Sequence, residues 1–196
     1  MNREISTLTT GSIAGTPASP WVRSTGMILA GSTLLAICAH VSIPLWFTPV
    51  PLSLQPFGVL LLGLLLSPRQ AAMTVGAYLA EGAAGLPVFA PTAIGGLAHL
   101  FGPTGGYLLA YPLAAVLISM LWRSTTRGFS AALASAAFGD LGILLSGALW
   151  LASQTHLPLS IAVSQAVVPF LPGDTLKVAA AAAAATAWLR IRRQSN

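Results

Sequence analysis

The chain alternates long apolar runs with shorter links, and most of the runs are too long for buried strands. Six of them are separated by polar turns or by loops rich in Gly and Pro. About 20 apolar residues are needed to cross the roughly 30 Å hydrocarbon layer of a bilayer. The pattern predicts six helices, over residues 25–43, 56–67, 70–86, 104–122, 130–152 and 173–191. The second run is short, which indicates a broken or re-entrant element there.

Three of the links are long and apolar, and they lie at one end of the predicted bundle. We name them the first outer loop (44–56), the second outer loop (86–103) and the third outer loop (153–172). The first holds four prolines and cannot form a regular helix. Non-helical backbone at membrane depth is tolerated where protein buries it or where it lines a cavity. These loops are therefore expected to cap a pocket.

Composition narrows the class of protein to one. Hydrophobic residues make up 55% of the 196 residues and charged residues only 7%, whereas a soluble domain carries about 25% charged residues. The net charge of +5 is too scattered for a nucleic-acid-binding patch. We predict an all-α membrane protein, a six-transmembrane-helix bundle over residues 21–196. Residues 1–20 are polar, lack the apolar core of a signal peptide and are predicted to be a flexible tail.

The positive charges orient the predicted bundle. If the chain crosses six times from an N-terminus inside the cell, all eight arginines fall on the inner side. The positive-inside rule makes that side cytoplasmic. Both termini are then cytoplasmic, the three outer loops face outward, and the ligand pocket opens outward beneath them.

Asp174 and Lys177 are the strongest candidates for ligand contacts. They follow the break at Pro172-Gly173, so Asp174 is expected to be the N-cap of the sixth helix, with Lys177 on the same face. Lys177 is the only lysine in the sequence. An ammonium group beside a helix N-terminus suits a carboxylate ligand, and Asp174 can accept hydrogen bonds from ligand N–H groups. A self-satisfied ion pair that anchors the helix is the alternative.

Five further residues near the outer boundary are candidates for the same site. Gln55 carries a carboxamide that can both donate and accept, which suits an amide-like ligand. Tyr78, Tyr107 and Trp46 are either pocket walls or interfacial anchors. Glu81 is either a solvated boundary residue or a partner for Lys177.

Asp140 is the remaining acidic group within a predicted helix. Such residues are costly in a membrane and are functional candidates. Counting residues along the fifth segment puts Asp140 some turns deeper than Lys177, so we expect it in a separate buried polar network or in a coupling path. The histidines lack metal-ligand spacing, and no catalytic or ATP-hydrolysing motif is present. Neither a metal site nor an enzyme is predicted.

Three stretches of the chain resemble the BioY family, the biotin-specific substrate-binding (S) components of energy-coupling factor (ECF) transporters. They are PVPLSLQPFGVLLLGLLLSPRQAA, YLAEGAAGLPVFAPTAIGGLAHLFGPTGGYLLAYPLAA and VVPFLPGDTLKVAAAA. The resemblance covers about residues 25–190, and GLPVFA, GPTGGY and PFLPGDxxK are its most specific motifs.

The resemblance implies a six-helix bundle of a bacterial cytoplasmic membrane whose outward pocket is closed by the first and third outer loops. It implies that biotin binds there with high affinity and contacts Asp174 and Lys177. It also implies partners, namely a transmembrane coupling protein and two ATPase subunits that alone use ATP, although some members work without dedicated partners. Such S components dock the coupling protein through small residues on the first helix, here Gly26 with Ala30, and Ser32 with Ala36.

The chemistry of biotin agrees with the candidate residues. Its ureido ring has two N–H donors and a carbonyl oxygen, and its valerate chain ends in a carboxylate. One charged side chain is expected to bind each end, and charge matching assigns Lys177 to the carboxylate. The alternatives are a self-sufficient secondary transporter of a small organic acid, with Asp140 as a proton relay, an intramembrane enzyme, and a structural scaffold.

Overall fold

The fold is known from a computed structural model that describes residues 19–91 and 95–195. Most of the predicted tail, residues 1–18, lies outside the described residues. The structure has eight helices and two short strands within the described ranges. In chain order they are α1 (Pro20–His40), β1 (Ser42–Ile43), β2 (Leu52–Ser53), α2 (Gln55–Leu65), α3 (Pro68–Ala83), α4 (Leu97–Leu100), α5 (Gly105–Arg123), α6 (Phe129–Thr155), α7 (Leu159–Ala166) and α8 (Leu171–Gln194).

The six predicted apolar runs are all helical and correspond to α1, α2, α3, α5, α6 and α8. Among the described residues, three helices are long and apolar enough to cross a membrane by themselves: α1, α5 and α6. The bent pair α7 and α8 counts as a fourth span when its two halves are taken together. The short α2 has 11 residues, as its short apolar run predicted.

The outer loops contain regular structure that the sequence pattern did not predict. In the first, β1 and β2 pair antiparallel, with Ser42 opposite Ser53. The second contains the single turn of α4, and the third contains the eight residues of α7. The turn of α4 packs against α3 and α5, and α7 packs against α6.

A reciprocal pair of capping side chains explains where α3 begins. Ser67 accepts a hydrogen bond from the backbone N–H of Gln70, and the Gln70 side chain accepts from the Ser67 N–H in return. This reciprocal capping box satisfies two donors that a helix start would leave unpaired. Pro68 stands in the first turn of α3, where its missing N–H costs nothing. The result is a tight turn between α2 and α3.

Helix α2 lies at the centre of the bundle, because none of its residues is exposed. It packs against α1, α5 and α8, while α5 also packs against α3 and α6, α8 packs against α6, and α1 covers α3. Small residues bring the central helices close together: a Cβ at Gly139 of α6 would collide with Ile118 of α5. At the end away from the outer loops, the Arg123 Nε donates a 3.4 Å hydrogen bond to the carbonyl oxygen of Leu66.

The break before α8 positions the polar residues of the sixth predicted segment. Helices α7 and α8 meet at an angle of 54° across residues 167–170. The N-cap of α8 is Phe170, with a proline at N1 or N2. Our expectation that Asp174 is the N-cap was therefore wrong, because Pro172 is well suited to the first turn and the helix begins before it. Asp174 instead lies just inside α8, in its first turn.

Candidate ligand-binding site

A narrow cavity lies beneath the outer loops, between the first turns of α2, α5 and α8 and the middle of α6. All three outer loops contribute to its wall, including Ser53 from the first, Ala90 from the second and Phe170 from the third. The space between the lining atoms, with its mouth, is about 560 Å³, of which about 40 Å³ can hold the centre of a water molecule. Its polar lining residues are Ser53, Gln55, His99, Thr104, Tyr107, Tyr111, Asp140, Asp174 and Lys177.

Asp174 and Lys177 form a buried ion pair on the cavity wall. The Lys177 Nζ donates a 2.7 Å hydrogen bond to the Asp174 Oδ1, one turn apart on α8. Both residues are more than nine-tenths buried. The second carboxylate oxygen, Asp174 Oδ2, has no hydrogen-bond partner among the described residues. Buried polar groups are nearly always paired, so an acceptor oxygen left open beside a cavity is available to a ligand.

Gln55 is held in place from two sides at the start of α2. Its Nε2 donates a 2.6 Å hydrogen bond to the Tyr78 hydroxyl of α3. Its Oε1 accepts from the Ser53 hydroxyl at 3.2 Å. These contacts fix the orientation of the carboxamide. Gln55 lines the cavity, whereas Tyr78 is not among the lining residues and contacts Gln55 from the protein side.

Aromatic rings complete the outer part of the wall. The Tyr107 hydroxyl donates to the carbonyl oxygen of Ala166 at the end of α7, which joins α5 to the break before α8. Phe170 meets the Tyr107 ring edge-on, with ring centres 6.4 Å apart. In the second outer loop, Phe89 stacks on His99 at 4.9 Å. A polar floor with aromatic walls is typical of small-molecule sites.

Asp140 enters the same cavity from α6, contrary to our expectation that it is separate from Lys177. Counting residues from the outer end of segment five placed Lys177 too far out, because α6 packs against α7 as well as α8, and the start of α8 meets α6 near its middle. Asp140 is only 6% exposed, and its Oδ1 has no hydrogen-bond partner within the described ranges. The cavity therefore contains two carboxyl groups and one ammonium group.

Two of the predicted site residues lie elsewhere. Trp46 is 95% exposed at the tip of the first outer loop, where its ring packs against Phe47. Glu81 does not reach Lys177, because it accepts a 3.0 Å hydrogen bond from the Ser32 hydroxyl of α1. The cavity thus brings together Gln55, Tyr107, Asp174 and Lys177 from the predicted set.

The two small-residue pairs of α1 point to opposite sides of the helix. Gly26 and Ala30 are exposed, and a Cβ added to Gly26 would meet no atom of the described structure. Ser32 is buried against Glu81, and Ala36 is half-buried against the core. Only the pair of Gly26 and Ala30 leaves a flat outer surface.

Sequence reasoning missed several lining residues, of which Ser53, His99, Thr104 and Tyr111 are polar. Thr104 lies within the GPTGGY motif and Tyr111 follows it by one helical turn. The glycines of this motif fit close packing rather than a phosphate site. A Cβ at Gly106 would collide with Trp150 of α6. If the motif had been interpreted as the contact between α5 and α6, its polar residue and the polar residue that follows it could have been predicted to line the pocket. The described residues contain no group of three His, Cys, Asp or Glu side chains suited to a metal ion.

The fold defines a helical membrane protein with a cavity lined by polar and aromatic side chains beneath its outer loops. The BioY family model matches residues 6–194. A "Probable biotin transporter BioY" of Pyrococcus horikoshii is 38% identical over 148 residues, which cover 76% of this chain and 85% of that relative. The "Biotin transporter BioY" of Thermotoga maritima is 37% identical over 158 residues, which cover 80% and 90% of the two chains.

A solved structure matches the fold over nearly its whole length. It is the crystal structure of "the S-component for biotin from an ECF-type ABC transporter", with a TM-score of 0.80 and 29% identity over 91% of this chain and 95% of that one. The chain therefore belongs to the BioY family, and the resemblance seen in its motifs is confirmed.

Proposed function

We propose that the protein binds biotin in the cavity beneath the outer loops and acts as the substrate-capture component of an ECF-type importer. The observation that carries this proposal is the buried pair of Asp174 and Lys177 facing the cavity, with the Asp174 Oδ2 left open. Family membership and relatives whose names describe biotin transporters support the choice of ligand.

The cavity matches the chemistry of biotin group by group. Asp174 offers an acceptor oxygen to a ureido N–H group, and the Lys177 ammonium offers charge and N–H donors to the ligand carboxylate. Gln55, fixed by Tyr78, supplies a polar contact at the mouth side. Tyr107 and Phe170 provide ring faces and edges for the apolar thiophane ring and the valerate chain. We do not include Trp46 or Glu81 in the site, because neither lines the cavity.

The closed state of the cavity fits a capture step that depends on loop movement. The 40 Å³ open to water is far below the roughly 300 Å³ of a typical ligand pocket. Biotin can enter only if the loops and their aromatic side chains move outward. Within the described residues, the regular structure of the first outer loop is one short hairpin and that of the second is one turn of helix, which suits these loops to such a movement.

We further propose six membrane crossings, with both termini on the cytoplasmic side of a bacterial membrane. The described arginines support this, since they lie in the first turn of α1 and α3, at the end of α5, in the turn after it and at the end of α8. Each of these positions is remote from the outer loops. The exposed pair of Gly26 and Ala30 on α1 is the proposed docking surface for the coupling protein, which itself works with two ATPase subunits.

Biotin uptake in cells tests the transport role and separates it from the secondary-transporter alternative. The experiment uses a biotin-requiring bacterial host that lacks every ECF coupling subunit, with this chain expressed alone or with a coupling protein and two ATPases. We expect uptake of labelled biotin to rise several-fold when the coupling module is present. Equal uptake without the module, abolished by a protonophore, would favour the secondary transporter.

A further inference from the structure

We infer that Asp140 is a second carboxyl contact for the ligand, so that the two ureido N–H groups of biotin are divided between Asp140 and Asp174. This inference rests on the proposed function. The geometric basis is that both side chains line one cavity although they come from different helices, α6 and α8. Asp140 was expected to lie in a separate polar network, and nothing in the family resemblance assigned it a role.

Each of the two carboxyl groups has a buried oxygen without a partner. Asp174 Oδ1 is occupied by Lys177, whereas its Oδ2 is unpaired among the described residues. Asp140 Oδ1 is likewise buried and unpaired there. Each carboxyl group can therefore accept a hydrogen bond from one of the two ureido N–H donors, which lie on either side of the ring carbonyl. A carboxyl group keeps an acceptor oxygen whether it is ionised or protonated.

On the side away from the cavity, no described side chain offers Asp140 a hydrogen-bond partner. On its far side Asp140 borders a groove between α6 and α8, whose other lining residues are apolar except Asp174 and Thr175. The Thr175 hydroxyl is already used, because it donates to the carbonyl oxygen of Pro172 at 2.8 Å. Leaving a buried acceptor unpaired is costly, so the cost is offset if a ligand N–H group completes the pair.

The backbone around Asp140 holds the carboxyl group at a fixed depth. The preceding residue, Gly139, lies so close to Ile118 of α5 that an added Cβ would collide with it. Ile143 and Leu144, one turn further along α6, are buried in the same cavity wall. An acceptor on a rigid helix is better positioned for a hydrogen bond than one on a loop.

The test combines protein variants with ligand variants. The purified full chain in detergent is titrated calorimetrically with biotin and with two cyclic-carbamate analogues, each having one ring N–H replaced by oxygen. The variants are Asp140→Ala and Asp140→Asn. Ser135→Ala is the matched control, since Ser135 is buried on the same helix but does not line the cavity. Thermal unfolding of each variant verifies that it is folded.

We expect Asp140→Ala to weaken biotin binding about 10- to 100-fold, the range for one hydrogen bond to a charged group. Asp140→Asn should weaken it less, because the amide oxygen still accepts. With one of the two analogues, both substitutions should change affinity less than about threefold, because the N–H that Asp140 binds is already gone. Ser135→Ala should leave all three affinities unchanged.

Two results would overturn the inference while leaving the proposed function intact. One is biotin binding by folded Asp140→Ala and Asp140→Asn variants at parental affinity. The other is an equal loss for biotin and for both analogues, which would mean that Asp140 acts only through the fold. If Asp140→Ala does not fold, Asp140→Asn decides by the same comparison across the three ligands. Failure of the parent chain to bind biotin would instead reject the proposed function itself.

Discussion

Lys177 and Asp174 are bonded to each other within one turn of α8, yet only one of the two Asp174 carboxylate oxygens takes part. Such a pair holds both side chains in place before a ligand arrives. It also leaves an acceptor and further ammonium N–H donors for the ligand, because an ammonium group has three donors. The pair is thus both a structural element of α8 and a site prepared for a polar ligand.

Breaking this pair should affect stability and binding differently. Lys177→Ala or Asp174→Ala leaves a buried charge without its partner, which costs about 3–5 kcal/mol. The double variant Asp174→Asn/Lys177→Gln removes both charges and should recover most of that stability, but biotin binding should stay at least about tenfold weaker than in the parent. Thermal unfolding and calorimetry in detergent measure the two effects. A stable double variant with parental affinity would show that the pair serves only the fold.

The ligand group bound by Lys177 can be identified with a neutral biotin derivative. If the ammonium binds the carboxylate, Lys177→Gln should weaken biotin binding about tenfold or more and change biotinamide binding little. The measurement is a pair of titrations for each protein. Equal losses for biotin and biotinamide would instead assign Lys177 to the ureido oxygen.

We expect Gln55 to contact the ligand directly and Tyr78 to act only by holding Gln55 in place. Gln55→Leu removes the carboxamide from the cavity wall and should weaken biotin binding about tenfold. Tyr78→Phe removes only the hydroxyl that accepts from the Gln55 Nε2, so its effect should be a few-fold. In the double variant the loss should be no larger than for Gln55→Leu alone. Additive losses would contradict a role for Tyr78 that acts through Gln55.

Close packing at the start of α5 gives a prediction about stability alone. Gly106→Ala would bring a Cβ against Trp150 and the carbonyl oxygen of Ser146. We expect it to lower the free energy of unfolding by about 1–3 kcal/mol, as overpacking does. Gly142→Ala on α6 is the matched control, because nothing lies within 4 Å of its added Cβ. Similar unfolding midpoints for both variants would argue against this tight contact.

The outer face of α1 should matter for transport and not for binding. Gly26→Leu and Ala30→Leu add bulk to an exposed surface, so the purified variants should bind biotin like the parent. Uptake in cells that express the coupling module should fall several-fold if this face docks the coupling protein. Thr25→Leu, which is exposed on a different face of α1, controls for added bulk. Unchanged uptake by both docking variants would mean that the coupling protein docks on another surface.

The sequence predicted the helices well because the thickness of the bilayer sets the length of the apolar segments that cross it. It also named Asp174, Lys177, Gln55 and Tyr107, which line one cavity in the structure, since polar groups are conspicuous in an apolar chain. It failed where depth depends on neighbouring elements: the start of α8 meets the middle of α6, so Asp140 and Lys177 line the same cavity. It also could not foresee the contact between Ser32 and Glu81, because such contacts depend on how α1 rotates against α3.

The central claim, that this cavity binds biotin, is tested most directly by calorimetry on the purified full chain in detergent, without any ATPase or coupling protein. Desthiobiotin, which keeps the ureido ring, and thiamine, which lacks it, serve as comparison ligands. We predict one-to-one binding of biotin, weaker binding of desthiobiotin and none of thiamine. Absence of biotin binding by a chain that unfolds cooperatively on heating would contradict the claim.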